Sequence, residues 1–87
     1  MAPRARGMRK SLHGPDHFVF CELMTQARKK AGLTQQALAK RLGRPQSFVA
    51  KYEGGERRLD VIEFIAVARA IGADPVLLLR TLSGRRA

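Results

Sequence analysis

The segment Leu33–Gly55, LTQQALAKRLGRPQSFVAKYEGG, constrains the fold of this chain more than any other. Leu38, Ala39 and Leu42 recur at the interval that puts side chains on one face of a helix, and Val49 and Tyr52 do the same a few residues later. Between them stands Gly43, the residue type that ends a helix by taking up a left-handed conformation at no steric cost. Two short amphipathic helices joined by so tight a turn can cover both apolar faces only by crossing closely. The small side chain of Ala39, ten residues before Val49, belongs at that crossing.

The flanking sequence divides into further helices and gives no strand signal. A first helix is expected from Asp16, as N-cap, to Ala31, with Phe20, Met24, Ala27 and Ala31 turned inward and Gly32 ending it. Thr34 is placed to cap the second helix. The third is expected from Pro45 or Gln46 to Glu53, stopped by Gly54 and Gly55. Asp60 and Glu63 form a D-x-x-E capping box for the fourth, which runs to Ile71 and Gly72, and Asp74–Pro75 opens the fifth with Leu78, Leu79 and Leu82 available for packing. The fold class expected is all-α, a compact five-helix bundle, in a chain of 87 residues that makes one domain.

Charge adds a second constraint. The net charge is +10, yet residues 1–15 hold four basic groups (Arg4, Arg6, Arg9, Lys10) and no acid, and residues 80–87 hold three basic groups and no acid. The middle of the chain is therefore only moderately basic. The organisation expected is a flexible basic arm over 1–15, a helical domain over 16–82 and a basic tail over 83–87, a distribution suited to a polyanion. The tail serves solubility equally well.

Paired helices with a glycine turn at this spacing are those of a helix-turn-helix DNA reader. The strings GLTQxxLAxxLG (Gly32–Gly43), YExG (Tyr52–Gly55) and AxxIG (Ala68–Gly72), in register, resemble the phage-repressor-type (Cro-like, XRE) helix-turn-helix family over about Phe20 to Leu79 without a gap. The resemblance implies a lambda-repressor-like DNA-binding domain and the function of a transcriptional regulator. It also implies an ion pair between Arg28 and Glu53 that ties the first helix to the end of the third. One position departs from the family: Pro45 stands where Ser or Thr usually caps the third helix, and proline has no capping oxygen.

Once Val49 and Tyr52 are buried, Gln46, Ser47, Ala50 and Lys51 remain on the outer side of the third helix. Gln pairs with adenine, Lys with guanine, Ser with either, and the Ala methyl with thymine; the resemblance implies the same base-reading positions. Phe48 is open between packing on the second helix and touching a thymine methyl. Phosphate contacts are expected from Gln35, at the N-terminus of the second helix, and from Arg44 and Arg57 in the flanking loops, with Arg58 a weaker candidate. Lys40 and Arg41 fall on an exposed face and are left outside this set.

The fourth helix is apolar on all sides, with Glu63 and Arg69 the only charges between Asp60 and Gly72. Together with Val76 and Leu77 it carries more apolar surface than a monomer needs to hide. A homodimer is expected, with Phe64, Val67, Val76 and Leu77 at its interface. The same surface supports the competing class, an antitoxin-like or anti-activator protein that acts mainly by binding another protein partner.

Other classes fall away. No triad, phosphate-cradling glycine loop or carboxylate pair suggests an enzyme, and no cofactor is implied. The single Cys21 forms no internal disulfide, and with His17 at i−4 it makes at most two ligands, so no metal site is expected. No apolar run of about 20 residues is present, so no membrane span is expected. A reducing cytoplasm, with the protein at the nucleoid when bound to DNA, is the expected location.

Overall fold

The computed structural model describes residues 14–84, so the expected arm at Arg4, Arg6, Arg9 and Lys10 lies outside the described residues, as does the expected tail after Gly84, whereas Ser83 and Gly84 of that tail are helical. Five helices follow in order: α1 (Pro15–Lys30), α2 (Gln35–Leu42), α3 (Gln46–Glu53), α4 (Val61–Ile71) and α5 (Pro75–Gly84), and no strand occurs among the described residues.

Their ends follow local chemistry. The Thr34 hydroxyl accepts from the Ala37 N–H at 3.0 Å, capping α2 as its sequence implies. Gly43 ends α2 at φ 68°, which lets the Arg44 N–H turn back to the Ala39 carbonyl at 3.0 Å. Asp60 and Glu63 close the capping box of α4, each side chain accepting from the other's backbone N–H. The Asp74 carboxylate accepts from the Val76 N–H at 2.9 Å at the start of α5. The one start that differs from expectation is α1, where Pro15 takes the first helical position behind Gly14, and Asp16 lies inside the first turn.

The core is built where α2 and α3 cross between α1 and α4. Met24, Leu38, Val49, Tyr52 and Val67 are essentially sealed from solvent, with Ala39 at the α2–α3 contact and Phe48, Phe64 and Ile71 around them. Phe20 packs on the Phe64 ring at 5.8 Å between centroids, and Phe48 meets Tyr52 edge-on at 5.4 Å. Ala31, expected inward, is exposed as the residue that ends α1.

Two of the four residues expected at a dimer interface need correction. Phe64 and Val67 are 5% and 1% exposed within a single chain and belong to its own core. The reason is periodicity: Phe64, Val67, Ala68 and Ile71 repeat at i, i+3, i+4 and i+7, one inward stripe. On an all-apolar helix that stripe cannot be told from the outer one by composition. The surplus apolar surface lies instead at Val61 and Ile62, 69% and 74% exposed, and on α5 at Val76, Leu77 and Leu79.

Candidate nucleic-acid interface

Helix α3 spans only two turns, yet its two sides differ sharply. Phe48, Val49 and Tyr52 face the core, while Gln46, Ser47, Ala50 and Lys51 are exposed. All four residues expected to read bases therefore share one outward side. Pro45 is the N-cap, extended at φ −64° and ψ 153° and without a side-chain cap, so Gln46 is the first helical residue.

The orientation of α3 is fixed from its C-terminal end by a buried carboxylate. Glu53 Oε2 accepts from Arg28 Nε at 2.7 Å, and Oε1 accepts from Arg28 Nη2 at 3.1 Å and from Gln35 Nε2 at 3.0 Å. Arg28 Nη1 donates further to the Leu33 carbonyl at 2.7 Å. Arg28 and Glu53 side chains are 9% and 5% exposed, so this is the interior ion pair that the family resemblance implies. Its hydrogen bond to Glu53 raises the already high pKa of the Arg28 guanidinium. Gln35 Oε1 then accepts from Gln46 Nε2 at 3.4 Å, a long contact that extends the chain of polar groups to the start of α3. Gln35 thus lies half-buried with its amide turned toward its neighbours.

A second carboxylate organises the opposite flank. Arg44, just before α3, and Arg57, just after it, converge on Glu63: Arg57 Nη1 and Nη2 donate at 2.9 and 2.8 Å, and Arg44 Nη2 donates at 3.1 Å. Both guanidinium groups also lie over the Phe48 ring, 4.2 and 4.9 Å from its centroid. Phe48, left open between two roles, is a buried platform for arginines. The hydrogen bond from Arg57, with that from the Asp60 backbone, lowers the Glu63 pKa to about 2. Arg44 and Arg57 side chains keep 42% and 38% of their surface.

Sequence reasoning placed Arg44 and Arg57 near α3 but treated Glu63 only as a cap, and nothing in the spacing of 44, 57 and 63 announces their convergence. Arg41, set aside as a solvated charge, donates to the Ala70 carbonyl at 2.8 Å and ties α2 to α4. Among the described residues no group of three or more His, Cys, Asp or Glu could hold a metal ion. His17 and Cys21 are both buried, with Nε2 3.8 Å from Sγ, and burial pushes the Cys21 thiol pKa up. No described helix is long and apolar enough to cross a membrane.

The chain is similar in sequence and fold to known proteins. A family model described as a helix-turn-helix domain matches residues 20–86. An XRE-family like protein from Pseudomonas syringae pv. tomato str. DC3000 is 49% identical, with a TM-score of 0.84 over 92% of this chain and 98% of that one. The restriction-modification controller protein C.AhdI from Aeromonas hydrophila is 28% identical, with a TM-score of 0.67 over 72% of this chain and 91% of that one. The clp gene regulator ClgR from C. glutamicum shares the fold at 19% identity, with a TM-score of 0.74 over 85% and 96% of the two chains. No curated protein matches the chain. With its two crossed helices, its glycine turn and its exposed α3, the chain belongs to the XRE-type helix-turn-helix family of DNA-binding transcriptional regulators.

Proposed function

We propose that the protein is a sequence-specific reader of double-stranded DNA that inserts α3 into the major groove of an inverted-repeat operator as a homodimer. The observation that carries this reading is the division of α3, with Gln46, Ser47, Ala50 and Lys51 exposed together while Phe48, Val49 and Tyr52 anchor the helix. Gln46 reads a base edge with its amide oriented through Gln35, Ser47 and Lys51 donate to base edges, and Ala50 offers a methyl contact. Arg44 and Arg57 hold backbone phosphates on either side of α3, and the first-turn N–H groups of α2, with Gln35, hold another. Two half-sites follow from a dimer through Val61, Ile62, Val76 and Leu77, large apolar side chains that a single chain leaves exposed on α4 and α5.

In-vitro selection from random duplexes tests the reading. It should enrich an inverted repeat with half-site centres about one helical turn, roughly 34 Å, apart; recovery without any common sequence would contradict it. Ile62→Asp and Leu77→Asp should sediment as folded monomers, because each places a charge in the proposed interface. A dimer that survives both substitutions uses another surface. The same exposed patch suits the alternative of a protein that acts mainly by capturing another protein, and that alternative predicts no enrichment in the selection.

A further inference from the structure

Glu63 is an acid set among groups that are to meet a polyanion, and the capping of α4 does not require it to touch Arg44 and Arg57. Its own position is fixed by the Asp60 N–H donating to Oε1 at 3.0 Å and by its backbone N–H donating to Asp60 Oδ1 at 2.7 Å. From that fixed point it takes the end edge of the Arg57 guanidinium, through Nη1 and Nη2. Nη1 also donates to the Arg58 carbonyl at 2.9 Å. A guanidinium has five N–H donors in a rigid fork. The edge made by Nε and the outer Nη2 hydrogen therefore remains for a second bidentate acceptor. Arg44 gives Glu63 a single Nη2 contact and keeps the rest of its fork, and both guanidinium groups rest over the Phe48 ring.

We propose that Glu63 is a specificity-determining positioning residue: it locks Arg44 and Arg57 in one orientation, so that only a phosphate at one register along α3 is gripped by their remaining edges. The proposal rests on the reading of both arginines as phosphate contacts. A flexible guanidinium on a long side chain follows whatever phosphate is near and adds equally to every duplex. A locked one contributes fully only when the backbone lies where α3 also meets its bases. The carboxylate at the same time removes one unit of positive charge from the flank, which weakens sequence-independent attraction.

Glu63→Gln separates these effects from folding, since Gln at this position still serves the capping box. Binding is measured to a duplex recovered by selection and to a scrambled duplex of the same composition, at two salt concentrations, with the helical signal and dimer mass as controls. Glu63→Gln should raise affinity for the scrambled duplex and narrow the ratio between the two by about three- to fivefold, the fold-change an exposed ion pair can supply. Its salt slope should steepen by up to about 0.9. Arg57→Lys keeps the charge but has no second edge, and should narrow the ratio with little change in slope. An unchanged or wider ratio in Glu63→Gln overturns the proposal while leaving the arginines as phosphate contacts, provided Arg57→Ala and Arg44→Ala weaken both duplexes. If those two variants bind like the parent protein, the phosphate reading itself fails and the proposal falls with it.

Discussion

Two arginine–carboxylate constellations flank α3, and they differ in almost everything except their chemistry. Arg28 and Glu53 are sealed between α1, α2 and the end of α3, with both carboxylate oxygens and all three guanidinium nitrogens engaged. Arg44, Arg57 and Glu63 lie on the open side, over the Phe48 ring, with two cations on one acid. The inner pair is closed off from any ligand by burial and serves to hold the helix. The outer group carries surplus charge and unused donor edges, and can both hold and bind. One short helix is thus fixed by a closed network on one side and presented by an open one on the other.

Removing the inner acid should produce the largest effect. Glu53→Ala leaves the Arg28 guanidinium buried without its partner, a change that typically costs about 3 to 5 kcal/mol. Such a loss is a large part of the stability of a domain this small. Urea unfolding checks it. A loss below about 1 kcal/mol would mean that Arg28 finds water and that the pair is not the interior tie described above. By contrast, Arg57→Ala breaks contacts that are only partly buried and should cost about 1 kcal/mol of stability. Its cost appears on DNA, where the salt slope should fall by about one on a selected duplex and by less on a scrambled one. Equal destabilisation by the two variants would erase the distinction between the flanks.

Acid acts on the outer carboxylate in a defined range. The folded Glu63 pKa of about 2 lies below that of an unfolded glutamate, about 4.3. The carboxylate therefore adds stability that is fully present above about pH 4.3 and is lost as pH falls through the folded value. In Glu63→Gln the decline in stability between about pH 4.3 and 2 should become shallower than in the parent protein. Above pH 5 the two should show parallel, nearly flat dependence on pH; a difference that opened near neutrality would contradict the assignment. The smallest change expected is from Tyr52→Phe. The Tyr52 hydroxyl is buried without a protein hydrogen-bond partner, and burial raises its pKa. Its removal should leave the unfolding midpoint the same or slightly higher; a clear loss of stability would mean that the hydroxyl is satisfied.

The parts of this picture legible in the sequence are those carried by neighbours along the chain. Thr34, Gly43, the Asp60–Glu63 box and Asp74–Pro75 announce helix ends because a cap acts within one turn. The outward set on α3 follows from locating Val49 and Tyr52, and Arg28–Glu53 followed from family resemblance. What escaped is tertiary. The side of α4 that faces inward depends on where α2 lands, so Phe64 and Val67 were expected on the wrong surface. The meeting of Arg44 and Arg57 on Glu63 joins two loops and a helix start, and no periodicity encodes it. Gln35 was read as a phosphate contact from its place at a helix N-terminus, whereas its amide also joins Glu53 to Gln46.

On DNA, α3 is to read bases while its flanks hold phosphates. The most direct test measures Gln46→Ala, Lys51→Ala and Arg57→Ala on a selected duplex and a scrambled one at two salt concentrations. The two α3 variants should each lose about 1 to 3 kcal/mol on the selected duplex and almost nothing on the scrambled one, with preference relaxed at a single base position. Arg57→Ala should weaken both duplexes, the selected one by a few-fold more, and without relaxing preference at any single base position. If Gln46→Ala and Lys51→Ala weaken both duplexes equally, α3 is not the reader.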